Sequence, residues 1–281
     1  LVGSEMCIRD RYSTPVQTKD FTFDLNINLS RNVSKVKELA DGVDYLFFNG
    51  DANFPINVGT RVGHRLGEIY AKNLYKRDEN GNMIVNKQGR PTKVSGEDAF
   101  QYTLDHPIGN IEPDLLMSVS PSFTYKGFTL SALFDMKFGG DIVSVSEAMA
   151  TSTGLAARTA NRGNAENGWK IVAPGVTADG TVNSTAMNAQ RYYTSMSGMA
   201  EEFVYDASFI KLKELSLGYS FPKSILKKTP LTSLNVAFVA RNLAYLMKHT
   251  PGTSPEGGYD TSMFSQAIDY MSVPYTRTFG L

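Results

Sequence analysis

From Phe21 to Leu29 the chain alternates strictly. Phe21, Phe23, Leu25, Ile27 and Leu29 are apolar, and Thr22, Asp24, Asn26 and Asn28 between them are polar. A period of two is the mark of a strand with one apolar face. Leu115, Met117, Val119, Pro121, Phe123 and Tyr125 repeat the pattern against Leu116, Ser118, Ser120, Ser122 and Thr124. After Lys126-Gly127 the parity flips, and Phe128, Leu130, Ala132, Phe134, Met136 and Phe138 carry the apolar face. A two-residue turn at Lys126-Gly127 sets Tyr125 opposite Phe128, Phe123 opposite Leu130 and Met117 opposite Met136. Every such pair falls on the apolar face, and a slip of one residue would scatter them.

Five further strands are expected: Phe54 to Val62, His64 to Lys76, Ser208 to Phe221, Leu231 to Met247 and Met271 to Leu281. In the third, Leu215, Leu217 and Tyr219 share one parity while Ile210 and Leu212 sit on the other. A bulge near Lys213-Glu214, or emergence from an apolar layer, accounts for the shift. Helix signals are faint. The run Val33, Val36, Leu39, Ala40 has helical spacing and reads as a turn or two, and the best longer signal is Ile142 to Ala150.

The connections alternate in length. Short turns are expected near Gly63, at Lys126-Gly127 and from Pro222 to Pro230; long ones run from Asn32 to Asn53, Arg77 to Pro113, Ser144 to Ala207 and Lys248 to Tyr270. Antiparallel neighbours put successive connections at opposite ends, so all short turns fall on one side. That asymmetry is the pattern of an outer-membrane barrel. A large soluble or surface-attached β-rich module, binding glycans, is the alternative, because a sandwich also tolerates uneven loops.

Composition narrows the choice. The 281 residues hold 28 Lys+Arg against 28 Asp+Glu, a net charge of zero, which removes the electrostatic footprint of a nucleic-acid binder. One cysteine excludes an internal disulfide framework and a multi-Cys zinc site. No run of 18 apolar residues occurs, so a membrane-spanning helix is excluded, whereas spanning strands are not.

Candidate chemistry is sparse. His64 and Glu68 are four apart but belong to no metal-like cluster, and His106 and His249 stand elsewhere. Asp105-His106 lacks a nucleophile elbow to serve, and Asp78-Glu79-Asn80-Gly81-Asn82 has its glycine misplaced for a calcium loop and reads as a turn. Gly139-Gly140 lacks the lysine and helix start of a phosphate loop. No catalytic residue, metal site or cofactor is expected. The long loop from Ser144 to Ala207 holds the chain's one tryptophan, Trp169, with Arg158, Arg162, Arg191, Tyr192 and Tyr193. Trp169, Arg191, Tyr192 and Tyr193 are the candidate substrate-binding residues, since aromatic faces stack on sugar rings or peptide side chains while polar neighbours hydrogen-bond. The same tyrosines could equally form an interfacial girdle or pack the loop on itself.

Ser208 to Pro222 (Ser-Phe-Ile-Lys-Leu-Lys-Glu-Leu-Ser-Leu-Gly-Tyr-Ser-Phe-Pro) resembles the penultimate barrel region of SusC/RagA-like TonB-dependent outer-membrane transporters. Arg241-Asn242-Leu243 is similar to the motif that follows there, and Pro274 to Gly280 to the start of the closing strand. Phe123 to Phe128, Gly139 to Ile142 and Phe21 to Arg31 fit as well, so the resemblance runs from about Tyr12 onward. Where the family commonly reads Asp-Pro-Glu, this chain has Ser254-Pro255-Glu256, so no role of that Asp carries over. The resemblance implies an all-β fold, an antiparallel transmembrane β-barrel, of which residues 12–281 are the C-terminal part. A plugged barrel has about 22 strands, and eight candidates are visible here. It further implies multi-pass residence in the outer membrane, in contact with its lipid, and import of an oligosaccharide or oligopeptide without covalent chemistry. A SusD-like lipoprotein would act as lid and the TonB complex would act through a plug. Residues 1–11 fit no part of the family pattern and resemble a translated sequencing-library adapter. On that reading Cys7 is foreign to the natural protein.

Overall fold

The computed structural model describes residues 2–49, 55–227, 229–259, 262 and 265–281. Its largest unit is an open seven-stranded sheet in which every neighbouring pair is antiparallel. The strands follow chain order: β1 (Val2–Gln17), β2 (Phe21–Val36), β3 (Leu115–Tyr125), β4 (Phe128–Phe138), β5 (Phe209–Ser220), β6 (Asn235–Lys248) and β7 (Thr278–Gly280). The edges β1 and β7 do not pair with each other, so the sheet is an arc of barrel wall.

The β3–β4 hairpin has the register its alternation specifies. Tyr125 pairs with Phe128, Phe123 with Leu130 and Met117 with Met136. Lys126 and Gly127 both have positive φ, 46° and 90°, as a two-residue turn matched to strand twist requires. In β5 the register shifts between Leu212 and Glu214 against both neighbours, so Lys213 is the bulged residue. The extra residue returns Leu212 opposite Phe134 and Ile210 opposite Met136, on the face that also holds Leu215, Leu217 and Tyr219.

One face of the wall is therefore apolar from strand to strand. Phe123, Tyr125, Phe128, Leu130, Leu217, Val236 and Phe238 on it are all exposed, as the lipid-facing side of a barrel must be. At the short-turn end, Phe21 pairs with Tyr125, Tyr125 with Phe128, and Phe128 with Tyr219. This row of four aromatics across four strands is an interfacial girdle. The opposite face is polar and internally bonded: Tyr12 and Thr14 donate to Asp24 at 2.9 and 2.7 Å, and Lys213 meets Asp135 at 2.6 Å.

The three short turns lie at one end, where Lys126 N–H donates to Asp20 O and Ser220 N–H to Gly127 O. The first joins β1 to β2 around Thr18. The expected turn near Gly63 is real but lies elsewhere. Of the eight expected strands six fall in the wall. The other two, at Ile56–Arg61 and Glu68–Ala71, pair with Tyr45–Asn49 and Gly109–Asn110 in a separate four-stranded sheet. Both are buried on both faces, unlike wall strands: Ile56, Val58, Gly59 and Thr60 are all buried, as are Glu68 through Ala71. Phe54, where one of them was expected to begin, lies outside the described residues. The helical spacing of Val33 and Val36 is overridden, because both belong to β2.

The fully buried core lies in the layer formed by the three long connections, 37–114, 139–208 and 249–277. Ile56, Val58 and Ile69 from the first pack with Val143, Ala200 and Phe203 from the second and Ile268 from the third. Asp141–Ser144 sits between Val204–Asp206, antiparallel, and Ile268–Asp269, parallel. The layer's helices are α1 (Ala99–Asp105), α2 (Val145–Ser152) and α3 (Ala189–Met196).

Residues 2–11, where no regular strand was expected, form most of β1 but out of phase. Upstream of a bulge between Ser13 and Val16, Arg11 pairs with Ile27, Arg9 with Leu29 and Glu5 with Val33, all on the apolar face of β2. Met6 and Ile8 fall on the polar face, opposite Asn32 and Ser30.

Candidate binding surface in the loop layer

Helix α3 organises this surface. Asn188 caps it, its Oδ1 accepting from Arg191 N–H at 3.1 Å. Ala189, Tyr192, Tyr193 and Met196 follow at i, i+3, i+4 and i+7, and all four are buried. The two candidate tyrosines thus serve the core. Burial pushes the Tyr192 hydroxyl up to about 12, and Tyr193 Oη donates to the carbonyls of Arg158 and Asn161 at 3.0 and 2.8 Å. Arg158 is committed to structure as well. It bonds Tyr205 Oη at 2.9 Å and Glu202 O at 3.1 Å, pairs with Glu147 and Glu202, and lies 4.9 Å over the Phe203 ring.

Trp169 and Arg191, by contrast, are exposed. Trp169 holds φ at 57°, uncommon for a bulky residue, and is fixed on both sides: its N–H donates to Asn164 O at 2.8 Å and its carbonyl accepts from Ala189 N–H at 3.0 Å. The indole, half exposed at 51%, lines a cleft of about 490 Å³ with Arg162, Tyr193, Asn188 and Gln190. Asn188 and Gln190 also line a second cleft of about 830 Å³, together with Arg191, Arg90, Asn86 and Gln88. Trp169 and Arg191 therefore line two neighbouring clefts that share Asn188 and Gln190 at the start of α3.

Sequence reasoning missed Arg90, Asn86 and Gln88, which come from the first long connection. The signal was the Asn86-Lys87-Gln88-Gly89 turn. Asn86 Oδ1 accepts from the N–H groups of Gln88 and Arg90 at 2.9 and 3.0 Å, and Gly89 has φ of 73°. A Cβ at Gly89 would lie 2.4 Å from Thr185 O, so only glycine lets the turn seat here.

His64 and Glu68 do meet, Nδ1 to Oε1 at 3.0 Å, across the turn joining the two short strands. Arg61 bridges His64 Nε2 at 3.1 Å to Asp105 at 2.8 Å. His106 stacks on Tyr102 at 4.1 Å, and His249 sits 3.8 Å from Asp206. Asp78 receives the N–H groups of Asn80 and Asn82, which hold its carboxyl below the usual range with the Asn82 side chain contributing most. Among the described residues no group of three His, Cys, Asp or Glu is placed to hold a metal.

No family model matches the chain. TonB-dependent receptor P3 of Formosa agariphila is 28% identical over 99% of the chain and 28% of its own length. TonB-dependent receptor SusC of Bacteroides thetaiotaomicron is 26% identical over 92% of the chain and 24% of its own length. Among solved structures, the RagAB peptide transporter superposes with a TM-score of 0.64 at 16% identity, covering 99% of this chain and 28% of that one. RagAB in its open-open state gives 0.62 at 20% identity over 95% and 27%. The chain spans about a quarter of the length of the curated relatives it matches. The exposed apolar wall and one-ended turns are those of a barrel wall, and the chain is similar over nearly its whole length to TonB-dependent receptors, which are not enzymes. Within that class the chain fits the SusC/RagA-like family, and its relatives support the outer membrane as its place.

Proposed function

We propose that this chain forms wall and outer rim of a multi-pass outer-membrane importer that takes up an oligosaccharide or oligopeptide. A SusD-like lipoprotein acts as lid and the TonB complex supplies energy through a plug. The observation that carries this reading is the division of the molecule. A wall with an apolar outer face and short turns at one end bears, at the other, a folded loop layer with its own core and an open groove. Loops that only closed strand ends would not need a core of that size. The importer's work is binding and gating. The wall's polar face lines the path, and the loop layer presents groups to a ligand before the lid closes.

The test is a deletion in the full-length protein. Val143 and Val204 are Cα partners, so a short Gly-Ser link between them removes 144–203 and leaves that pairing in place. The reading expects lost uptake with heat-modifiable barrel assembly retained. Unchanged uptake would reduce the layer to a surface cover.

We also infer that residues 1–11 are foreign to this wall. Their register turns Glu5, Arg9 and Arg11 toward lipid, where an arginine costs about 2–4 kcal/mol at mid-membrane. From Val16, which pairs with Phe23, the phase is correct. Sequencing unamplified DNA across the junction should diverge before Tyr12; reads that continue through Leu1 to Arg11 into barrel-like sequence would overturn the inference.

A further inference from the structure

The arginines of the loop layer divide into two sets. Arg61 pairs with Asp105, Arg65 with Glu112 and Asp114, Arg77 with Glu201, and Arg158 with Glu147 and Glu202. Arg90, Arg162, Arg191 and Arg277 make no ion pair among the described residues; the first three line the neighbouring clefts over α3, and Arg277 lies apart in a cleft with Tyr275. Arg162 reaches only a carbonyl, Gly154 O at 3.1 Å. A third cleft of about 470 Å³ shares Asn86, Arg90 and Ser195 with the second and adds Lys93, which contacts Asn73 Oδ1 at 3.1 Å and no carboxylate. No Asp or Glu lines any of the three.

In a chain with equal numbers of acids and bases, four cations spread over three neighbouring clefts that no carboxylate lines leave a local positive field. Unpaired guanidinium groups keep their forked donors free for planar oxyanions, carboxylate or sulfate, in bidentate geometry. Around them Asn86, Gln88, Asn188 and Gln190 supply amides that both donate to and accept from hydroxyl groups. Trp169 offers an exposed ring face at one end. Charge, amides and one flat aromatic are the complement of a sugar chain that carries acidic groups. An acidic peptide would satisfy the charges and meet some amides through its backbone; the four side-chain amides, which match vicinal hydroxyl groups, favour the glycan.

We propose that these neighbouring clefts together bind an anionic oligosaccharide, one bearing carboxylate or sulfate groups, and that Arg90, Arg162 and Arg191 set that preference. The proposal rests on the import reading and narrows its substrate class. It is tested on the full-length protein in detergent by calorimetric binding of four probes: oligogalacturonate, dextran sulfate, neutral dextran of matched length, and a poly-glutamate peptide. At least one anionic glycan should bind at least tenfold tighter than neutral dextran, and its affinity should fall as salt rises. The triple variant R90Q/R162Q/R191Q should lose at least tenfold in that affinity, with an unchanged melting temperature. W169A should weaken the anionic glycan without altering the salt dependence. Equal or tighter binding of neutral dextran, preference for poly-glutamate over both anionic glycans, no probe bound, or a triple variant that binds normally would each overturn the proposal. Uptake lost on deleting 144–203 would meanwhile uphold import, so the two readings fail separately.

Discussion

Replacing Lys211 with methionine should release the third long connection from the wall. Lys211 lies on the polar face of β5, opposite Asp135 and Tyr245, and is only 3% exposed. Its Nζ meets Glu256 Oε2 at 2.5 Å and lies 5.1 Å from the Tyr245 ring centre and 4.6 Å from that of Tyr275. Tyr245 Oη donates to the same Glu256 oxygen and lies 2.7 Å from Ser254 Oγ. The Lys211 ammonium and the Tyr245 hydroxyl thus hold the Ser254-Pro255-Glu256 segment down. Removing one partner of a buried pair costs about 3–5 kcal/mol, because the other charge is left without compensation. Here Glu256 can escape by undocking its loop into water, so the low end applies, about 3 kcal/mol. That corresponds to roughly a hundredfold in the open population. Hydrogen exchange of 249–259, followed by mass spectrometry on the full-length protein, should therefore accelerate by about two orders of magnitude in K211M. E256Q, which keeps a hydrogen bond to Tyr245, should accelerate it less, and the double variant should fall short of the sum of the singles. Unchanged exchange in K211M, or strictly additive effects, would refute the latch.

Two further outcomes follow from the wall. Arginine at Phe134 should destabilise the barrel by about 2–4 kcal/mol if that position is near mid-membrane, and arginine at Ser131 much less; urea unfolding in lipid vesicles reads the difference, and a reversed order would contradict the faces. Ser131 is the better control than Asp135, whose replacement would also strand Lys213. Gly127→Val should cost about 1–3 kcal/mol and slow assembly, since φ is 90° and a Cβ there would lie 3.0 Å from Ser220 O; wild-type folding yield would contradict the turn assignment.

The wall hairpin was legible in the sequence because its alternation is uninterrupted and the turn is two residues long, which leaves a single register with both apolar sets on one side. The Lys213 bulge was legible as a change of parity. The loop layer was not. Ile56–Arg61 and Glu68–Ala71 are apolar enough to resemble wall strands, and only burial on both faces separates them, which depends on contacts from distant segments. Tyr192 and Tyr193 look like a ligand platform when read as a loop. Read with Ala189 and Met196 they are the buried stripe of a helix, a signal that was present at i, i+3, i+4, i+7. Trp169 and Arg191 line clefts at the start of α3, and Arg90 joins Arg191 through a turn some hundred positions away, which no local pattern reports.

The alternating face of this sheet is expected to meet lipid along its whole apolar stripe. Nitroxide labels placed singly from Thr129 to Met136 in the full-length protein, reconstituted in bilayers with Cys7 replaced, report the surroundings of each position. Collision with dissolved oxygen marks lipid, and collision with a water-soluble nickel complex marks water. Leu130, Ala132, Phe134 and Met136 should show high oxygen and low nickel accessibility, and Thr129, Ser131, Leu133 and Asp135 low oxygen accessibility, with a period of two. Absence of that period, or the opposite phase, would contradict lipid contact at this face.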